Sequence, residues 1–218
     1  MAVYTKIKTD DISHLFEDLG EIYSTEGITE GVENTNYLVT LKSKKKFIFT
    51  IFEKRTKGSD LPFFNKAMSE FNKAGINCPS AIITNNRGVF EIQNKPCAIY
   101  SFIEGEKINI PNKENLESLA EFITNMHKIG LRSKLKREND MLIPTWNYII
   151  KKFDQHQVEY ESELKDVISL INSLQDKFTN ELRTALIHAD LFKDNIFFKD
   201  NKVSGIIDFF FTCNDSIV

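Results

Sequence analysis

The sequence predicts an α+β protein of two lobes, a small antiparallel sheet followed by a mostly helical half that carries a β-hairpin near its end. Three observations carry that prediction. Up to about residue 105 the apolar residues come in short runs or strict alternation, broken by turn signals. From there to about residue 180 they recur at helical spacing. The final stretch returns to short apolar runs on either side of the turn pair Asp200-Asn201. The expected lobes are residues 1–103 and 113–218, joined by a polar linker at 104–112.

Taken in order, Asp10 and Asp11 precede a short amphipathic helix ending near Gly20. Tyr37, Val39 and Leu41 then alternate with polar residues up to a lysine-rich tip, Lys42 to Lys46, and Phe47 to Phe52 returns as a buried strand. Ser59 is placed to cap a helix whose Leu61, Phe64, Met68 and Phe71 share one face, with Gly75 just past its end. Strands are expected on both sides of the turn Asn85 to Gly88, and a further one from Pro96 to Ile103. Two helical stripes follow: Leu116, Leu119, Ala120, Ile123 and Met126, then Leu164, Val167, Ile168, Ile171, Leu174 and Phe178. The closing strands are Leu186-Ile187, Asn195 to Phe198 and Val203 to Phe211.

Composition excludes several functions. With 28 Lys+Arg against 31 Asp+Glu, the net charge of −3 argues against a nucleic-acid partner, which draws a basic excess onto one face. The three cysteines, Cys78, Cys97 and Cys213, have no metal-ligand spacing, so the expected compartment is reducing and no structural zinc is expected. The longest apolar runs, at 47–52 and 206–211, fall far short of the roughly 18 residues of a membrane span. A cytoplasmic location without membrane contact is the expectation, and the oligomeric state stays open.

The chemistry concentrates near the C-terminal end. His188-x-Asp190, then Asn195, then Asp208 after a hairpin is the layout that phosphoryl transfer requires. One carboxylate accepts the proton of the attacking hydroxyl, while an amide and a second carboxylate hold Mg²⁺ against nucleotide phosphates. Asp190, Asn195 and Asp208 suit those roles, with His188 beside the base, more as an orienting residue than as a proton carrier. If Asp200 and Asn201 centre the hairpin, Asn195 faces Ile206, and Asp208 becomes its diagonal neighbour on one face, about 7–8 Å away between Cβ atoms.

These segments, H-A-D-L-F-K-D-N-I-F-F and S-G-I-I-D-F-F-F-T-C-N-D, resemble the catalytic and metal-binding segments of the aminoglycoside phosphotransferase and choline kinase superfamily, a branch of the protein-kinase-like fold. Within it, G-V-E-N-T-N-Y-L-V at 31–39, D-L-P-F-F-N-K-A-M at 60–68 and P-C-A-I-Y-S-F-I-E-G at 96–105 are similar to bacterial homoserine kinases of this type. The resemblance implies a nucleotide-binding N-terminal lobe, a catalytic C-terminal lobe, ATP with Mg²⁺ in the cleft, and L-homoserine as acceptor, a step of threonine biosynthesis. It implies a hinge at Tyr100 to Ile103, with Ser101 and Ile103 on the nucleotide, and a turn in which Asn34, Thr35 and Asn36 take the place of a glycine-rich loop over the phosphates.

Two features depart from the kinase-like pattern. Thr50 stands at the apparent position of the third-strand lysine, and Phe63 or Phe64 where the following helix would offer an acid. The homoserine kinases of this type also continue well past the Asn-Asp that follows the metal Asp, so a C-terminally shortened chain with an incomplete second lobe is expected. Alternatives are a kinase for another small hydroxyl compound, such as choline, an aminoglycoside or a methylthioribose-like sugar, or an inactive remnant that at most binds nucleotide.

Overall fold

The computed structural model describes residues 3–154, 161–175 and 182–217. Its first half is a five-stranded antiparallel sheet in the order β1-β2-β3-β5-β4, made of β1 (Ile22–Ile28), β2 (Thr35–Leu41), β3 (Lys46–Ile51), β4 (Phe90–Ile92) and β5 (Lys95–Ser101). The alternation expected in β2 is present: Thr35, Tyr37, Val39 and Leu41 are buried and the residues between them are half-buried. Tyr37 pairs with Phe49 and Val39 with Phe47, so these side chains share the outer face. That face is covered by the helical turn α1 (Thr9–Ile12) and the 3-10 turn Ser13–Phe16, through Ile12, Leu15 and Phe16. Asp10 and Asp11 therefore lie inside the first turn, with Lys8 in front of it.

The opposite, inner face carries Ile48, Thr50, Ala98 and Tyr100, and packs on α2 (Leu61–Lys73). The apolar face of α2 is the expected one, since Leu61, Phe64, Met68 and Phe71 are all buried. Its cap is not, because Asp60 takes the N-cap and Pro62 fills the first turn, where a missing N–H costs nothing. At the other end Gly75 adopts φ +92°, and Ile76 N–H returns to the Phe71 carbonyl at 3.0 Å, closing the helix. The strand expected before Asn85 is reduced to bridges at Ala81 and Thr84.

In the second half, α3 (Lys113–Gly130) starts from a reciprocal cap in which the Asn112 and Asn115 side chains each accept the other's backbone N–H at 2.9 Å. The stripe is turned from the expected one. Leu119 and Met126 do face inward, with Phe122 and Ile129, but Leu116 is 52% exposed and Ala120 is exposed. Polar and steric contacts set that rotation: Asn115 donates to the Asn201 carbonyl at 3.2 Å, and Gly130 lies directly against the backbone of Leu186. Two further helices follow, α4 (Ile143–Asp154), which the helical periods did not separate, and α5 (Glu161–Gln175); Phe178 lies outside the described residues. No helix among the described residues is long and apolar enough to cross a membrane.

The closing strands are β6 (Thr184–Ile187), β7 (Ile196–Lys199), β8 (Lys202–Ile206) and β9 (Cys213–Ser216). Hairpin β7–β8 pairs Lys199 with Lys202 and Phe198 with Val203, as expected, but a bulge then shifts the register so that Phe197 pairs with Gly205 and Ile196 with Ile206. Asn195 consequently faces Ile207, whose N–H donates to the Asn195 carbonyl at 2.9 Å, and not Ile206. The long strand expected to Phe211 stops at Ile206; the chain leaves the ladder, and Cys213–Ser216 pairs with β6 instead. One core joins the halves, with the Phe71 and Phe209 rings 5.7 Å apart and those of Phe64 and Phe210 5.9 Å apart.

Candidate active site

Between the inner sheet face and the β6–β8 segment lies a cleft of about 930 Å³. Its roof includes Asn34, Asn36, Ile48 and Thr50, its back the stretch Tyr100 to Ile103, and its floor Asn195, Ile207 and Asp208. That volume is in the range of small-molecule and cofactor sites.

The floor is built where β6 ends. His188 is 1% exposed, and neither ring nitrogen is free: Nδ1 accepts the Asp190 backbone N–H at 3.2 Å, and Nε2 meets the Ile207 carbonyl at 2.8 Å. A carbonyl can only accept, so Nε2 carries the proton and the ring is neutral. Burial pushes the imidazole down to about 4, against the smaller opposing effect of the Ile207 carbonyl. Ala189 is forced to φ +64°, a left-handed conformation disfavoured for a residue with a Cβ, and the bend brings the Asp190 N–H back to the His188 ring. Asn195, at the end of the 3-10 turn Lys193–Asn195, donates from Nδ2 to the Asp190 carbonyl at 2.8 Å and to its carboxylate at 3.3 Å.

Asp208 follows the end of β8 with φ +67°. Burial, then the charges of Asp190 and Glu33, push its carboxyl up to about 6, against the Phe210 backbone N–H and the Arg55 guanidinium. The same causes, burial first and Glu33 next, raise Asp190, while Asn195 and Arg55 oppose the rise. The Asp208 Oδ1 oxygen is buried with no hydrogen-bond partner among the described residues. An unpartnered carboxylate oxygen beside a second carboxylate and an amide fits a divalent cation, which would relieve both burial and repulsion. No cluster of three His, Cys, Asp or Glu among the described residues could hold a metal unaided. Two protein ligands completed by phosphates and water is the usual arrangement for Mg²⁺ at nucleotides.

The roof separates the three expected phosphate contacts. Asn34 and Asn36 line the cleft, with the Asn36 Oδ1 accepting from Thr50 Oγ1 at 2.8 Å. Thr35 and Asn36 belong to β2 and not to the turn, so their side chains alternate, and Thr35 points away from the cleft. Its buried hydroxyl donates to Glu53 at 2.5 Å and accepts the Tyr4 N–H at 2.9 Å. At the hinge, Ser101 and Ile103 both line the cleft; Ser101 Oγ accepts the Ser80 N–H at 2.9 Å. Thr50 is the last but one residue of β3, facing inward, and Phe64 is buried in the core, so neither partner of a lysine–acid pair is present there.

Two ion pairs of the β1–β2 turn are not legible in the sequence, and the first lines the cleft. Glu30 pairs with Lys107 at 2.5 Å, and Glu33 with Arg55 at 3.2 Å, so both acids of the β1–β2 turn are tied down. The signal for Arg55 is Glu53-Lys54-Arg55, which sets two cations just after a strand whose buried end, Phe49 to Ile51, carries none.

Residues 24–218 match the phosphotransferase enzyme family. The chain is 37% identical over 223 residues to the homoserine kinase of Bartonella tribocorum, covering 99% of this chain and 68% of that one. It is 37% identical over 219 residues to the homoserine kinase of Rhizobium johnstonii, with the same coverage. The chain thus spans about two thirds of the length of these curated relatives. Among solved structures, amicoumacin kinase hAmiN in complex with AMP-PNP, Ca²⁺ and Ami superposes with a TM-score of 0.73 at 15% identity, covering 96% of this chain and 66% of that one. Spectinomycin phosphotransferase in complex with ADP and spectinomycin gives 0.71 at 14%, covering 96% and 71%. At such identities the likeness is one of fold, and it agrees with the two-lobed α+β arrangement. The family match over most of the chain, together with the identity to the curated relatives, places this chain in the phosphotransferase enzyme family.

Proposed function

We propose that the chain catalyses transfer of the γ-phosphoryl group of ATP to the hydroxyl of L-homoserine, giving O-phosphohomoserine and ADP. One observation carries the phosphoryl-transfer part: the unpartnered Asp208 oxygen lies in the same cleft as Asn195, whose amide donates to the Asp190 carboxylate. The choice of acceptor is supported by the relatives, which carry the name homoserine kinase and match nearly the whole chain at 33–37% identity.

Asp190 is the general base. Held by Asn195, its carboxylate takes the hydroxyl proton as the acceptor oxygen bonds to phosphorus and the bond to the β-phosphate oxygen breaks. Its raised pKa suits that task, since a carboxylate lifted by burial and like charge is a stronger base. Asn195 and Asp208 would hold Mg²⁺, which when bound neutralises charge on the β- and γ-phosphates. His188 positions Asp190 and the Asp208 segment relative to one another. Asn34 and Asn36 offer amide donors over the phosphates, and Ser101 and Ile103 take the base end of the nucleotide.

The test is ADP release by the purified chain with MgATP and a panel of hydroxyl compounds: L-homoserine, L-serine, choline and an aminoglycoside. Homoserine should lead by at least tenfold in kcat/KM. Choline as an equal or better acceptor would overturn the assignment of substrate, and no transfer to any alcohol would overturn the function.

A further inference from the structure

A nucleotide triphosphate arriving in this cleft brings about four negative charges to a site that already holds Asp190, Asp208 and Glu33. Kinase-like sites ordinarily answer with a divalent cation and a third-strand lysine. Here Thr50 fills the strand position and hydrogen-bonds to Asn36, so the protein's own positive charge must come from elsewhere. Two cations pair with acids of the β1–β2 turn. Lys107 sits in the polar stretch after the hinge, bonded to Glu30 and 5.7 Å from the Phe197 ring. Arg55 is held between Glu33 and the ring of Phe211, close in sequence to Asp208, and its charge acts on both Asp190 and Asp208.

The setting of Arg55 is that of a prepared but unfinished contact. Its guanidinium carbon lies 3.2 Å from the centre of the Phe211 ring, three residues beyond Asp208, so the plane is fixed by stacking on the segment that carries that carboxylate. Only Nη1 is engaged with Glu33, at 3.2 and 3.3 Å from its two oxygens, which are long contacts for a charged pair. Among the described residues Nε and Nη2 have no partner, leaving most of a five-donor fork available. Both side chains are about one third exposed, so the pair can part without stranding a charge in the core.

We propose that Arg55 binds the terminal phosphate of the nucleotide, supplying a positive charge that the third strand lacks, and exchanges Glu33 for a phosphate oxygen when the nucleotide enters. The proposal rests on the cleft being a nucleotide site, as argued under the proposed function, and does not depend on the identity of the acceptor. Glu33 then acts as an internal competitor. It holds the β1–β2 turn to the β3–α2 loop in the free protein and gives way to a dianionic group, for which the planar fork of arginine is better matched.

Calorimetric binding of MgATP and MgADP to the whole chain tests this. Arg55→Ala should weaken MgATP at least tenfold and MgADP by threefold or less, because the contact is to the terminal phosphate. Arg55→Lys should recover part of the loss, and Glu33→Gln should tighten MgATP severalfold by removing the competitor. An unchanged MgATP affinity in Arg55→Ala, an equal loss on both nucleotides, or a weaker MgATP affinity in Glu33→Gln overturns the proposal; the last arm decides even if Arg55→Ala fails to fold. A wild-type chain that binds MgATP but does not phosphorylate homoserine overturns the acceptor assignment and leaves Arg55 in place. A wild-type chain that binds neither nucleotide overturns both.

Discussion

His188 bridges Asp190 and Ile207: its Nδ1 accepts the Asp190 N–H at 3.2 Å, and its Nε2–H donates to the Ile207 carbonyl at 2.8 Å. One neutral ring therefore sets the spacing between the loop of the base and the residue that precedes Asp208. Protonation would put a hydrogen on Nδ1, against the Asp190 N–H, and break one of the two contacts.

That relationship predicts opposed pH effects. His188 is held down to about 4 from an ordinary 6.5, so its contribution to stability is complete above 6.5 and lost as pH falls through 4. Asp208 is pushed up to about 6 from 3.8, so its contribution is complete below 3.8 and lost as pH rises through 6. Each amounts to something on the order of 3 kcal/mol, and over pH 4–6 they largely offset. Urea midpoints of the wild type should change little across that window. Asp208→Asn should lose stability on acidification, and His188→Gln on raising the pH. Parallel profiles for all three proteins would show that these groups are not buried as described.

Asp190→Asn should lower kcat by about 10²–10⁴-fold, the usual contribution of a general base. Nucleotide affinity should stay within about threefold, and the melting temperature should hold or rise slightly, because the substitution removes a like charge from beside Asp208. Turnover close to wild type would mean that another group takes the proton.

Most of the sheet and α2 were legible because each element has one buried face, and a buried face writes its period into the sequence, as at Tyr37, Val39 and Leu41. Features decided by contacts between distant segments were not legible. Strand β1 mixes exposed and half-buried positions and shows no clean alternation. Strand β9, Cys-Asn-Asp-Ser, has little strand propensity and exists because β6 pairs with it. The hairpin bulge moved Asn195 opposite Ile207, and the left-handed residue Asp208 lies beyond the ladder, so the two reach one cleft by a route that strand counting does not describe. Arg55 stayed hidden for the same reason: its partners, Glu33 and Phe211, lie 22 and 156 positions away in sequence.

Gly130→Ala should destabilise the whole catalytic loop. A Cβ at that position would lie 2.0 Å from the Leu186 carbonyl oxygen and 3.0 Å from its carbon, and backbone cannot swing aside. Relief requires moving α3 or β6, at a cost typical of overpacking, about 1–3 kcal/mol. Thermal melting should drop by several degrees, with a fall in kcat, since β6 leads directly into His188 and Asp190. An unchanged melt would mean that the helix and strand are not packed this closely.

The two faces of β2 give a further separation. Thr35 lies in a buried network on the far side from the cleft, where its hydroxyl donates to Glu53, accepts the Tyr4 and Thr5 N–H groups, and shares the Glu53 carboxylate with Lys95. Burial alone would raise Glu53, but the bonds from Lys95, Thr35 and Thr5 outweigh it and hold the carboxyl below its ordinary value. That lowered pKa contributes stability above pH 4.5, which is lost as pH falls through the folded value. Thr35→Val keeps the shape and removes the hydroxyl, leaving the Tyr4 and Thr5 N–H groups without their acceptor and the Glu53 Oε1 oxygen with the Thr5 hydroxyl alone. It should cost about 1–3 kcal/mol and move acid unfolding to higher pH. MgATP affinity should not change. Asn34→Ala should behave in the opposite way, weakening MgATP while leaving the melt close to wild type, because Asn34 faces the cleft. A loss of nucleotide affinity in Thr35→Val as large as that in Asn34→Ala would show that Thr35 reaches the nucleotide after all and that the turn rearranges when it binds.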